Sequence, residues 1–167
     1  MSVLQIITIP NPLLKQKSLP IEKITQEVKE LVENMRETML SHGSCVGIAA
    51  VQVGVLARII IVDVSLSKTQ HRSSGQLIMI NPEITYASGK TSSREGCLSV
   101  PDFLGNVTRK KKIEVSYIDI GGNKKHLKTE GFEAVCIQHE IDHLDGFVFL
   151  DRVTSVKTDV IRRQCGK

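Results

Sequence analysis

The sequence predicts an α+β fold, with mixed or antiparallel sheets packed around a central helix. Three observations point there. Short β-branched or alternating runs separated by turn residues recur between Ala57 and Lys128. Gly121-Gly122-Asn123 supplies a tight hairpin between two of them. Next comes the run Cys136-Ile137-Gln138-His139-Glu140-Ile141-Asp142-His143-Leu144-Asp145-Gly146, which contains His-Glu-x-x-His. Ala134, Val135, Ile137, Ile141 and Leu144 give that segment apolar positions to bury, and Gly146 is a natural stop. On a helix the two histidines stack one turn apart on one face, so both can bind a single metal ion. Glu140 then sits where it can reach a water on that ion without being a ligand.

Composition narrows the classes. A chain of 167 residues is expected to form one domain, residues 1–167, with a sizeable core. It has no Trp and few aromatics, so aliphatic packing must dominate. A net charge of +4 is too modest to argue for nucleic-acid binding. The four cysteines, Cys45, Cys97, Cys136 and Cys165, are widely spaced and suit a reducing compartment rather than a disulfide framework. No signal segment opens the chain, and no run approaches the roughly 20 apolar residues of a membrane span. A cytoplasmic protein without a membrane partner is the expectation.

Taken in order, Ile6 to Pro12 is extended, because Pro10-Asn11-Pro12 cannot lie inside a helix. Pro20 is another break. Ile24 to Met39 reads as an amphipathic helix, with Val28, Leu31, Val32, Met35 and Met39 at helical spacing. Ser41 to Ser44 is a loop. Cys45 to Gly54 is apolar and small, with Gln52 as its single polar side chain; a buried strand or turn is the plain reading, with Gln52 capping a loop. Ala57 to Val64 is a central strand, and Ser65 to Gly75 a polar hairpin loop. Leu77 to Ile80 is a strand stopped by Asn81-Pro82, with Ile84 to Ala87 pairing beyond it. Ser88 to Ser93 is a loop. Arg109-Lys110-Lys111-Lys112 reads as a solvated strand edge. Ile113 to Ile120 alternates as a strand with one wet face, and His126 to Lys128 begins the return strand. The histidine helix starts near Phe132. Val148 to Leu150 is a short strand, and the tail from Val153, with Arg162, Arg163 and Lys167, is a short basic helix.

A catalytic site of this kind wants a third protein ligand and one open position. Phe149 stands where one common pattern needs a downstream His, and no Glu follows Glu140. Asp145, Asp151 and Asp159 are weak candidates. Cys136 lies seven residues before His143, about 10 Å along the helix axis, too far to share one ion. The ligand is therefore expected from upstream, with Cys97 in Arg94-Glu95-Gly96-Cys97-Leu98-Ser99-Val100-Pro101 as the best candidate.

Three motifs thus follow one another: Gly47-Ile48-Ala49-Ala50-x-Gln52, Glu95-Gly96-Cys97-Leu98-Ser99 and Gln138-His139-Glu140-x-Asp142-His143. Their order and content resemble the peptide deformylase family over nearly the whole chain. Ile80-Asn81-Pro82, Val107-x-Arg109 and His143-Leu144-Asp145-Gly146 extend the likeness. The resemblance implies an enzyme that removes the N-formyl group from the initiator methionine of newly made polypeptides and releases formate. It implies one divalent ion per chain on Cys97, His139 and His143, Fe²⁺ natively, with Zn²⁺, Ni²⁺ or Co²⁺ in isolated protein. A metal-bound water would attack the formyl carbon with Glu140 as general base and acid. The Leu98 backbone N–H and the Gln52 amide would meet the oxyanion. Val46, Gly47 and Gly96 would pair with the peptide, and Val135 and Cys136, with Ile48 nearby, would line the methionine pocket. The implied partners are N-formylmethionyl nascent peptides, with a transient ribosome contact through the basic tail. The chain departs from the family pattern at Cys45, usually Gly, at Ile48 and Val51, and at Asp102-Phe103-Leu104, where some members carry a basic residue.

Overall fold

The structure, a computed structural model, describes residues 1–164. The first helix, α1, spans Gln26–Ser41, and Thr25 caps it by accepting from the Val28 N–H. Four strands follow: β1 Gly47–Ala49, β2 Ile59–Val62, β3 Leu77–Ser88 and β4 Thr91–Cys97. Then come β5 Val100–Arg109, β6 Lys112–Ile118 and β7 Lys124–Glu130, and the second helix, α2, Phe132–Leu144. A one-turn helix α3, Val156–Asp159, leads into β8, Val160–Arg162. The strands form a five-stranded sheet in the order β1-β2-β3-β6-β7 and a three-stranded sheet in the order β4-β5-β8. All the strand pairs are antiparallel.

The run Ile59-Ile60-Ile61-Val62 explains the layering. All four side chains are buried, so no polar alternation appears in the sequence. Ile59 and Ile61 pack with Val32, Met35 and Met39 of α1. Ile60 and Val62 pack on the opposite face with Ala134, Ile137, Ile141 and Leu144 of α2. Burying each such side chain is worth about 1.5–3 kcal/mol. The strand is therefore the hub between a helix on either face. A third cluster, Cys97, Val100, Val107, Val148 and Phe149, joins the small sheet to the segment after α2.

Four expectations need correction. The strand expected to stop at Asn81-Pro82 runs on to Ser88. Asn81 takes φ 51°, its amide exchanges 2.8 Å hydrogen bonds with the Ile21 backbone, and the register shifts between Ile80 and Glu83. A bulge absorbs the proline's missing donor. Most of the Ser88–Ser93 loop is strand, because Gly89 at φ 69° turns the chain tightly enough for β4 to start at Thr91. Val148 to Leu150 is not a strand: Phe149–Asp151 is a 3₁₀ turn, with the Asp151 carboxylate accepting from the Val148 N–H. The basic tail helix is one turn long and gives way to β8, which pairs Val160, Ile161 and Arg162 with Gly105, Leu104 and Phe103. Lys167 lies outside the described residues.

Candidate metal centre and cleft

Helix α2 begins at Gly131, whose φ of 69° lets the chain turn sharply out of β7. Every residue from Glu133 to Leu144 is buried. Gln138 fastens the helix to the β5–β6 turn: its Oε1 accepts from the Lys110 N–H at 3.0 Å and its Nε2 donates to the Lys110 carbonyl at 2.8 Å. At the far end Gly146 lies against the Lys15 carbonyl, where a Cβ would come within 2.5 Å. Asp145 accepts from Arg58 at 2.9 Å. These contacts fix the rotation of α2 about its axis, and so the direction of its histidines.

The expected third ligand arrives from the small sheet. Cys97 ends β4 beside the Leu98-Ser99 turn, where it pairs with Val100. Candidate ligand atoms of Cys97, His139 and His143 all lie within 4.8 Å of one another. The Cys97 Sγ is 3.3 Å from His143 Nε2. His139 Nδ1 is 2.8 Å from Glu95 Oε1. Burial by itself would raise the Glu95 pKa, but hydrogen bonds from His139 and Arg109 outweigh it and hold the carboxyl below its ordinary value. An ionised carboxylate only accepts, so His139 carries a proton on Nδ1, and loss of the second proton, from Nε2, exposes the lone pair that an ion would take. Burial works against charging His139, yet its bonds to Cys97 and Glu95 lift its pKa well above the usual value. The site thus favours positive charge, and one thiolate with two imidazoles suits a soft divalent cation.

Arg109 corrects the reading of the basic run. Lys110, Lys111 and Lys112 are exposed, but Arg109 is 7 % exposed. It donates to Glu95 at 2.6 and 2.9 Å and to Asp142 at 2.8 Å. Asp142 also accepts from Arg152 at 2.9 and 3.0 Å. A chain of charges therefore runs from the exposed Arg152 through the buried Asp142, Arg109 and Glu95 to the back of His139. Sequence reasoning assigned Glu95 and Asp142 no task beyond their motifs. Their signal was present, since each stands beside or between proposed ligands, but the partner, Arg109, is distant in sequence.

Glu140 points the other way, toward β1. A Cβ on Gly47 would lie 2.6 Å from its Oε1, so only glycine leaves the carboxylate room. Its Oε2 is buried without a hydrogen-bond partner among the described residues. Burial raises the Glu140 pKa to about 7. An unmatched acceptor beside three ligand atoms fits a site built to receive a cation and a proton-bearing reactant. Gln52 does cap its loop, as its Oε1 accepts from the Ala49 N–H at 2.9 Å. The same side chain turns its Nε2 toward Ser99 Oγ at 3.2 Å and Cys97 Sγ at 3.4 Å.

A cleft with a cavity volume of 260 Å³ opens onto these groups. Gln52, Cys97, Leu98, His139 and Glu140 line it, and Val46, Gly47, Gly96, Val135 and Cys136 do so as well. Ile48 does not reach it: its side chain is fully buried in the cluster under α1, because β1 alternates and Gly47 takes the cleft side. Cys45 stands at the cleft, its thiol donating to the Gly47 carbonyl at 3.0 Å, and burial pushes its pKa up to about 12. The expected loop departure also reaches the cleft, through Leu104. The sheets contribute open edges: among the described residues, β1 and β4 each pair with one neighbour only.

Comparison with known proteins agrees. The family model for polypeptide deformylase matches residues 3–159. The chain is 41 % identical over 167 residues to a peptide deformylase of Nitrosococcus oceani, covering all of this chain and 96 % of that one. It is 37 % identical to a peptide deformylase of Bartonella tribocorum, covering 100 % and 93 %. Among solved structures, a peptide deformylase from Ehrlichia chaffeensis in complex with actinonin superposes with a TM-score of 0.87 at 42 % identity, over 94 % of this chain and 92 % of that one.

Proposed function

This chain belongs to the polypeptide deformylase family, and we propose that it removes the formyl group from the initiator methionine of newly made polypeptides. The observation that supports this most is the convergence of Cys97, His139 and His143 beside the unpartnered Glu140 carboxylate, at the floor of a cleft between two open strand edges.

Helix α2 is the metal-binding helix in this reading, and residues 1–167 act as one catalytic domain. Cys97, His139 and His143 hold one divalent ion, Fe²⁺ natively, while Zn²⁺, Ni²⁺ or Co²⁺ suit the same donors. When bound, the ion supplies Lewis acidity, which lowers the pKa of water near 7 and polarises the formyl carbonyl. Glu140 takes the proton of the attacking water and passes it to the leaving amine, so water and formamide become formate and a free N-terminus. The Gln52 amide and the Leu98 N–H receive the charge that develops on the formyl oxygen. Glu95 keeps the His139 ring in its ligating tautomer. The peptide lies as an added strand between Val46-Gly47 and Gly96, held mainly by backbone hydrogen bonds, which tolerate varied sequence. Val135 and Cys136 take the methionine side chain. The enzyme works in the cytoplasm, on nascent chains, with a passing ribosome contact through its basic tail.

The test is formate release from formyl-Met-Ala-Ser by iron- or nickel-loaded protein, with Glu140→Ala as control. Release well above that control is expected. Equal, background rates from the two would overturn the reading.

A further inference from the structure

The mouth of the cleft carries two cations that the mechanism does not use. Arg94 and Arg163 both line it and both are exposed. Neither forms an ion pair among the described residues. The acidic residues lining the same cleft are Glu95 and Glu140, which are 6 % and 5 % exposed and lie at its floor. An arriving peptide therefore meets uncompensated positive charge first.

Arg163 is held there by a built feature rather than by a wandering tail. Strand β8 pairs with β5 as far as Arg162, and the Arg163 N–H donates to the Asp102 carbonyl at 2.8 Å. Its guanidinium then folds over Gly96: a Cβ on that glycine would lie 2.5 Å from Arg163 Nη2 and 2.9 Å from Leu104 Cδ2. The glycine thus makes room for an arginine from the far end of the chain. Gly96 stands on the open edge of β4, one residue from Cys97, so a peptide laid along that edge passes beneath the guanidinium within its first few residues. Each residue of an extended strand advances only about 3.3 Å.

We propose that Arg163 is a specificity-determining residue that binds an anionic group on the second or third residue of the formyl-methionyl peptide. The proposal rests on the deformylase reading. The anion is an acidic side chain or, in a very short peptide, the terminal carboxylate; both offer a carboxylate to the guanidinium fork.

The test compares kcat/KM of the metal-loaded, full-length enzyme on formyl-Met-Ala-Glu-amide, formyl-Met-Ala-Gln-amide, formyl-Met-Glu-Ala-amide and the free acid formyl-Met-Ala-Gln. A preference of about fivefold for the carboxylate-bearing peptides over the neutral amide is expected at low salt, falling toward one at high salt. Preference for the Glu-amide peptides assigns the anion to the side chain; preference for the free acid alone assigns it to the terminus. Arg163→Ala should bring the ratio to about one, and Arg163→Glu should invert it. A wild-type ratio of one, or a ratio unchanged in Arg163→Ala, overturns the proposal. Absence of formate from every peptide would instead overturn the deformylase reading.

Discussion

Glu95 joins His139 at 2.8 Å while the same carboxylate takes two hydrogen bonds from Arg109. One buried carboxylate thereby couples a proposed metal ligand to an arginine that also reaches Asp142 at 2.8 Å. The arrangement costs desolvation and is stable only because every charge in it has a partner.

Removing Arg109 leaves Glu95 and Asp142 buried with an unpaired excess of negative charge. Arg109→Ala is expected to lose about 3–5 kcal/mol of stability, seen as a drop in Tm of roughly 10 °C. A thermal melt within about two degrees of the parent would show that the network carries little.

Replacing Glu95 with Gln keeps the shape but frees the His139 tautomer. Metal affinity should fall about 10–100-fold, measured by competition with a chelator. Unchanged affinity would mean that Glu95 does not orient the ring.

Adding one methyl group at Gly47 should displace the Glu140 carboxylate, which a Cβ would approach to 2.6 Å. Gly47→Ala is expected to lower kcat about 100-fold with full metal content, since an ångström-scale misplacement of a reacting group costs that much. Elemental analysis alongside kinetics separates this from metal loss.

Replacing Gln52 with Met removes an amide whose Nε2 lies 3.4 Å from Cys97 Sγ. Gln52→Met should cost about 10²–10³ in kcat, with KM for formyl-Met-Ala-Ser little changed. A loss confined to KM would place Gln52 in binding rather than in transition-state stabilisation.

Stability of the metal-free protein should carry the pH signature of Glu140. Its folded pKa, about 7, lies above the ordinary 4.5 because burial penalises the charged form. The ionised group therefore opposes folding, by an amount that grows as pH rises from 4.5 and levels off above 7. Glu140→Gln removes that cost. It should raise the Tm of the apo protein at pH 8, by on the order of 3 kcal/mol in stability, and leave it nearly unchanged at pH 4.5. A gain that is the same at both pH values would place its source elsewhere.

The central strand and both helices were legible because their apolar patterns are local. Ile59 to Val62 is buried on both faces and reads as an unbroken apolar run. Val32, Met35 and Met39 recur at the helical period. Elements that depend on partners read poorly. The segment after Pro82 stays in β3 because β6 pairs with it across a bulge. The tail becomes β8 because β5 offers it an edge. Arg109 looked solvated because its three lysine neighbours are.

By itself the sequence determined the identities that chemistry requires: two imidazoles at i and i+4, a carboxylate beside the first, and an upstream thiol, Cys97, as the best candidate for a third ligand. Those follow from spacing along one helix and from residue type. Only the tertiary structure decided which charges face the back of His139, why position 47 is glycine, and how Arg163 comes to lie over Gly96. Such relations span from 14 to 93 positions of chain, and they exist only once packing against the sheets has fixed the rotation of α2 and the edge that β8 pairs with.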